Sequence, residues 1–559
     1  MKPLLALLVT LAACAAPQEE AVKPPPGPAP TPAKASASGD VSVEIPAIDI
    51  KTVAQEPEAL GQPGMPLVDP KKKLPDKIGS EEWAKAVAKQ RTAVQGAKDP
   101  IQKQAQAAVL ATMLYRESKM KPSKAEEKAL LGDARQVLRD VAQQAGDKAI
   151  DELTLRLLGS YELLLEDYPA AEKAWQTLIE KDKDPKSKDG PYNHAFLAYS
   201  LLKQFKNAEA VAVVANEKLD EKEPELAYVI AWAKWRSGDR AGAWTAITAA
   251  AKGWGQNARR DELERDVQLF ASRGGGTFEQ FVTLVTTVLA KPASQQAADV
   301  ARVKPHQYEL IAKLALTGYG AAGRWSDGIA ALNKAIEVAG DTVPPNDRPV
   351  IRYEQADFTV PLDTPDVAAG YAKQAIEALQ SCGAKCADKD KLDTINRVYL
   401  MGRLFHILYA TANDKRYYEP AHDLYAATIP LLGDAATKTQ AQKDAKVLET
   451  TFKNIKVGTG THDKDALKLL LGRHDPEVET CYEMALGANP KLGGSVALNL
   501  ESDATGVIKG IATEPKAGAA GLSAVAACIA EHAKQWRLPR RGMPGSTRIK
   551  MSYTLSVKK

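Results

Sequence analysis

The chain has 559 residues, 45% hydrophobic, 26% charged and only 6% aromatic, a length that holds about three or four domains with real cores. Its 74 basic and 70 acidic residues leave +4, which argues against a protein built to coat nucleic acid, since such proteins carry a strong basic excess. Seven His and five Cys supply little material for metal or redox chemistry.

Met1-Lys2 gives a positive start, and Leu4 to Ala13 is an apolar run with the length of a signal-peptide core, too short to span a bilayer. It ends in Leu11-Ala12-Ala13-Cys14, which resembles the bacterial lipobox. The resemblance implies a lipoprotein signal peptide over 1–13 and acylation of Cys14, whose several chains would anchor stably where one would not. Ala15 rather than Asp follows, so the resemblance places the chain on the outer membrane, facing the periplasm. No later stretch reaches 18 consecutive apolar residues, so the lipid is the expected membrane attachment. From Pro17 to Pro75 lie 13 of the 34 prolines, among Ala, Ser, Glu and Lys too poor in large apolar groups to offset ordering entropy. Residues 14–79 therefore read as a lipid anchor and Pro-rich flexible linker, with Lys71-Lys72-Lys73 a solvated charge run.

From Ser80 to about 456 the period is helical, opened by Ser80-Glu81-Glu82 as a capped start with acid in the first turn. Internal similarity then appears. Leu155, Leu158 and Gly159 precede Tyr168, Ala171, Trp175 and Leu178; Leu197, Ala198 and Leu201 precede Phe205, Ala208 and Ala212; Ile230 and Ala231 precede Gly238, Ala243 and Ile247. Ala171, Ala208 and Ala243 recur at intervals of 37 and 35 residues. This pattern is similar to the tetratricopeptide repeat, a helix-turn-helix unit of about 34 residues whose small residues allow close helix approach. Degenerate copies follow around Gly323, Trp325 and Gly328, and around Tyr418, Ala421 and Tyr425. The resemblance implies a solenoid with a groove for a peptide or partner helix.

Chemical motifs are sparse. Gly318-Tyr319-Gly320-Ala321-Ala322-Gly323 satisfies G-x-G-x-x-G but follows a helical stretch and leads into Trp325, so it reads as a helix-to-helix turn. His194, His306, His406, His422, His462, His474 and His532 lie singly, without paired ligand spacing, and no carboxylate pair stands out for acid–base work. No enzyme, metal or cofactor is expected. Beyond Cys14, an even set of four cysteines in an oxidising compartment suggests two bridges; the sequence-local connectivity joins Cys382 to Cys386.

Gly458-Thr459-Gly460-Thr461 marks a hinge, 457–464, before a change of character. Pro476 to Leu486 reads as helix, Val496, Leu498 and Leu500 as a strand, Val507 to Thr513 as its partner, Gly521 to Trp536 as helix, and Ile549, Met551, Tyr553 and Leu555 as a closing strand. That order predicts a small α+β unit with helices on one face of an antiparallel sheet. The stretch 465–559 resembles the AgmX/PglI-type carboxyl-terminal domain of gliding-motility envelope proteins, itself similar to the TonB carboxyl-terminal domain. The matching residues are Cys481-Tyr482-Glu483, Pro490, Gly493-Gly494, Gly506-Val507, Val525, Cys528, Trp536 and Pro539; Leu538 departs, standing where an aromatic is expected. The resemblance implies that Cys481 and Cys528 sit on one helix each, where a bond between them would staple a small core. It also makes the sheet edge near Ser546 to Ser556 a candidate partner contact.

The expected fold is therefore mainly α, a tetratricopeptide-like array over 80–456 followed by the small α+β domain. The expected function is a non-enzymatic, lipid-anchored periplasmic scaffold binding protein partners in an envelope complex, with gliding motility the machine that the resemblance implies. Neither nucleic acid nor a small-molecule substrate is expected. The alternatives are an outer-membrane protein assembly or transport factor holding peptides in the repeat groove, and a cell-wall-binding protein or enzyme.

Overall fold

A computed structural model of the chain describes residues 40–57, 74–75, 77–121, 123–182, 190–215, 224–254, 260–292, 296–412, 414–454, 464–516, 521–541 and 544–558. Cys14, the signal peptide, His462 and the glycine-rich 457–463 lie outside these residues. The fold is mainly helical with a small sheet built around the carboxyl terminus. No described helix is long and apolar enough to cross a membrane. The chain divides into two compact units, one of residues 56–270 and one of residues 1–55 with 271–559.

The first of these runs α1 (Glu81–Gly96), α2 (Pro100–Ser118), α3 (Lys124–Ala149), α4 (Glu152–Leu164), α5 (Tyr168–Lys181), α6 (Gly190–Lys203), α7 (Asn207–Ala215), α8 (Pro224–Arg236), α9 (Arg240–Trp254) and α10 (Arg260–Ser272). Ser80, Asp99, Ser123 and Asp151 cap the first four, each side chain accepting from a backbone N–H of the opening turn.

A turn recurs where one helix hands over to the next. Glu166, Phe205 and Gly238 adopt left-handed φ of 63°, 60° and 88°. At each, the following N–H reaches back five residues: Asp167 to the Glu162 carbonyl, Lys206 to Leu201, Asp239 to Lys234. This is the Schellman closure, which satisfies the last carbonyls of the first helix and aims the second back along it. Asp167 and Asp239 then cap the second helix through their carboxylates.

The recurring turn has a counterpart in the packing. Five residues after each left-handed position comes a small buried side chain: Ala171, Ala210 and Ala243. Ala208, chosen from sequence as the middle member, is instead exposed. The small buried residue at this distance from Phe205 is Ala210, two residues later. Leu158 is half-buried, while Gly159, Trp175, Ala198 and Ala231 occupy the interior. A Cβ on Gly159 would lie 2.7 Å from the Trp175 indole, which stacks in turn on Phe196 at 5.5 Å. Gly159→Ala should therefore cost about 1–3 kcal/mol through overpacking, read as a lowered urea midpoint.

In the other unit, helical hairpins continue through α11 (Phe278–Leu284), α12 (Ala297–Ala301), α13 (Val303–Lys313), α14 (Trp325–Ala339), α15 (Asp347–Thr359), α16 (Pro365–Cys382), α17 (Asp388–Ala412), α18 (Tyr418–Thr428) and α19 (Ala435–Asn454). Gly323 repeats the Schellman turn, with Arg324 N–H on the Tyr319 carbonyl, and Asp363 is left-handed at the next handover. Five residues on stand Gly328 and Ala368, again small and buried. The G-x-G-x-x-G segment thus joins helices on both sides.

The terminal elements are α20 (Lys464–Gly472), α21 (Asp475–Leu486), β3 (Gly494–Ser502), β4 (Ile508–Lys516), α22 (Leu522–Ala533) and β5 (Thr547–Val557). β3 pairs antiparallel with both β4 and β5, and Val496, Leu498, Leu500, Ile549, Met551, Tyr553 and Leu555 fill the face covered by the helices. Gly506, at φ 81°, turns β3 into β4 against the Leu538 backbone; a Cβ there would lie 1.9 Å from the Leu538 carbonyl oxygen. Leu538 itself is fully buried and donates its N–H to the Gly506 carbonyl, so the departure from the expected aromatic keeps an apolar, hydrogen-bonded position.

Two further strands come from the predicted linker: β1 (Val41–Glu44) and β2 (Ile48–Thr52) pair parallel with successive stretches of β5. The sheet is consequently mixed, not antiparallel, and runs from β1 and β2 through β5 and β3 to β4. The Ser546–Ser556 edge expected to be open is covered by the chain itself; among the described residues the open edge is β4.

Candidate functional site

The terminal sheet and the helix that seats it are the best-defined candidate for a partner-binding site. Helix α21 is held on three sides. Glu477, in its first turn, is buried and accepts from Trp325 Nε1 at 3.1 Å, from Trp536 Nε1 at 2.6 Å and from His474 Nδ1 at 2.9 Å, with His532 Nδ1 3.7 Å away. His474 stacks on Trp536 at 4.6 Å. Gly323 makes room: a Cβ there would lie 2.0 Å from Glu477 Cγ. One turn on, Cys481 is bonded to Cys528 of α22. Further on, Glu483 pairs with Arg273 at 2.9 Å, both side chains under one-tenth exposed, and Arg273 also donates to the Gly318 carbonyl. Thr480 Oγ1 donates to the Ala321 carbonyl and Arg540 N–H to Asp414. The sheet is therefore bolted to the hairpin turns at 271–274 and 318–325, and these polar bonds fix its orientation.

Asp475, the first residue of α21 and near the Tyr553 phenol, is pushed up to about 7 by burial. The folded value lies above the unfolded one of about 3.9, so the fold prefers the protonated form. That contribution is fully present below about pH 4 and is lost as pH rises toward 7, with a slope of up to about 1.4 kcal/mol per pH unit. Asp475→Asn removes the ionisation, so urea midpoints measured from pH 5 to 8 should fall less steeply for the variant than for the native chain.

The strand edges differ in character. Beyond β4 no described strand follows, and Pro515 sits opposite Val496. A proline is accommodated in an edge strand where its nitrogen faces outward, and Thr513 shares its parity, so the outward N–H groups belong to alternate residues such as 513 and 511. At the opposite side Val43, Ile45 and Ile50 insert into the core, and Asp40 accepts from Ser546 N at 2.8 Å and Oγ at 3.2 Å. Those hydrogen bonds, led by the backbone one, hold the Asp40 carboxyl below its usual range.

The other chemical candidates make the following contacts among the described residues. Cys382 and Cys386 are bonded to each other at the end of α16. His194 bonds the Gly190 carbonyl, His406 the Tyr425 hydroxyl, and His306 lies beside Glu309. Buried carboxylates elsewhere carry donors: Glu162 takes Arg139, Asp266 takes Tyr228 and Trp232, and Asp347 takes Tyr308. Two clusters have metal-ligand composition among the described residues. Cys481, Cys528 and His532 form one, its thiols consumed by their bond; Glu419, His422 and Asp423 form an exposed or half-exposed trio on α18.

Sequence reasoning missed Glu477, Arg273 and the two amino-terminal strands. Glu477 and Arg273 carry no local pattern, because their partners lie far along the chain. The strands do: Val41-Ser42-Val43-Glu44-Ile45 and Ile48-Asp49-Ile50 alternate at the period of a half-buried strand. No family model matches the chain, and no curated protein matches it.

Proposed function

We propose that the chain is a non-enzymatic scaffold in a cell-envelope complex, anchored by lipid at Cys14 and facing the periplasm from the outer membrane. On this reading the helical hairpins are a tetratricopeptide-like array that offers its groove to a peptide or helix. The terminal sheet is a TonB-like domain that takes a partner strand, in a gliding-motility or related trans-envelope machine. The observation that carries it is the open β4 edge on a sheet that is bolted in place by Glu477 and Glu483. A row of backbone donors and acceptors that no described strand pairs, on a fixed support, is what strand addition requires. The engagement of the buried carboxylates in structural hydrogen bonds also favours binding over catalysis.

The test is crosslinking in intact cells followed by affinity isolation, comparing the native chain with Thr513→Pro, which removes an outward N–H. A truncation before Gly458 is a poorer comparison, because it strips Trp325 and Arg273 of their partners. The expected result is an envelope protein set recovered with the native chain and depleted with Thr513→Pro. Recovery of barrel proteins or wall fragments alone, equally with both, overturns the reading.

A further inference from the structure

The segment over 40–52 reaches β5 from roughly 500 residues away in sequence, and its seating is specific. Val41 N–H bonds the Ser546 carbonyl, Ile45 N–H the Lys550 carbonyl, and Lys558 N–H the Thr52 carbonyl, at 2.8–3.0 Å. Val43, Ile45, Ile50 and Thr52 turn inward and are buried, while Glu44, Asp49 and Lys51 face out. The pairing is also limited. The strands span only 4 and 5 residues, run parallel, and are interrupted at Pro46-Ala47. Parallel pairing is slightly weaker per residue, and a short strand is the easiest to exchange. Directly after it, Glu56 is tied elsewhere, its carboxylate to Lys203 and its carbonyl to Arg265.

We propose that residues 40–52 are a releasable strand latch that sets the length of tether between an anchor at Cys14 and the first fixed point of the fold. The competing ligand that opens it is an extended peptide strand with the same inward pattern of β-branched residues. With the latch closed, the spacer from Cys14 to Asp40 is 26 residues and reaches at most about 90 Å. With it open, the first fixed point becomes Glu56, 42 residues on, and the reach rises to about 145 Å. The acceptor edge then becomes available to the incoming strand, so binding and lengthening are one event. Its meaning for reach rests on the anchor proposed at Cys14; the test does not, because a dye replaces the lipid.

The probe is a synthetic peptide of residues 39–54, presented to the full chain. Cys14 takes a donor dye, since the other four cysteines are bonded, and an unnatural residue at Lys516 on β4 takes the acceptor. Ile50→Asp places a charge in the core and opens the latch. Asp49→Cys with Thr554→Cys, in a Cys14→Ser background, locks it, because these exposed residues are directly paired. If access is limited by the closed latch, apparent affinity scales with the open fraction. The peptide should therefore bind Ile50→Asp at least about tenfold more tightly than the native chain and the locked variant not at all. Energy transfer should be lower in Ile50→Asp and should fall in the native chain as peptide binds. Equal peptide affinity in all three, binding to none, or energy transfer unchanged by both Ile50→Asp and peptide overturns the proposal. The locked variant guards against simple unfolding, since its bond forms only in the native register. Failure of cell-made protein to float with vesicles would reject the anchor alone and leave the latch result standing.

Discussion

Replacing Glu477 by Ala should destabilise the unit that carries the terminal sheet by about 3–5 kcal/mol, the largest effect of any single substitution considered. The carboxylate is the common acceptor for Trp325 Nε1, Trp536 Nε1 and His474 Nδ1, brought together from three separate chain segments. Removing it leaves the buried Trp536 indole N–H and His474 imidazole nitrogen without this acceptor, beside the half-buried Trp325 indole. Each buried orphan costs about 1–3 kcal/mol, and the vacated side-chain volume adds a cavity. Glu477→Gln keeps one oxygen acceptor but turns an amide toward the other donors, so it should recover only part of the loss. Gly323→Ala should imitate the effect without touching any donor. The new methyl group would fall on Glu477 Cγ, and the left-handed backbone at Gly323 disfavours any side chain. Urea unfolding followed by tryptophan fluorescence measures all three. A loss below about 1 kcal/mol for Glu477→Ala would mean that the indoles find other acceptors.

Local pattern made the helices legible and long-range pairing hid the site. Helical periodicity locates the hairpins because each helix buries one stripe, and the period survives whatever the turns contain. The exact turn positions were harder, because the left-handed residue is Gly238 or Gly323 at some hairpins but Glu166, Phe205 or Asp363 at others. A search for turn glycines passes over Phe205. Its strained backbone is held by the Arg236 guanidinium, which sits 4.5 Å from the Phe205 ring and donates to the Leu202 carbonyl. In the terminal domain, strict alternation gave the strands of the hairpin and the closing strand, since one face of each is buried. The strands over 41–52 obey the same alternation and were obscured by the proline count around them. Composition averaged over 14–79 describes the segment as a whole and misses a nine-residue signal within it. Glu477 and Arg273 could not be read at all, since a lone charged residue on a helix is ordinarily solvated, and Glu483 was legible only as part of Cys481-Tyr482-Glu483, without its distant partner.

Loss of the Cys481–Cys528 bond should cost about 2–4 kcal/mol, and loss of the Cys382–Cys386 bond about half as much. The cause is chain entropy: a cross-link restricts the unfolded ensemble more as the closed loop lengthens. The two bonds span sequence separations of 47 and 4 residues. On the logarithmic rule these correspond to about 4 and about 2 kcal/mol before native-state costs. Position amplifies the difference. Cys481 lies on α21 between Glu477 and Glu483, so the bond ties α22, which covers the sheet, to a helix fixed to the hairpin turns. The Cys382–Cys386 bond closes a turn at the end of α16, within a stretch already held by helix packing. Denaturant midpoints of Cys481→Ala/Cys528→Ser and Cys382→Ser/Cys386→Ser, measured beside the native chain, test the ranking. The first pair should also loosen the Trp536 environment and speed peptide exchange at β5, since α22 and the latch strands share one core. The second should leave both unchanged. If the two variants lose equal stability, loop length is not what the longer bond contributes, and the staple acts only as local packing between α21 and α22.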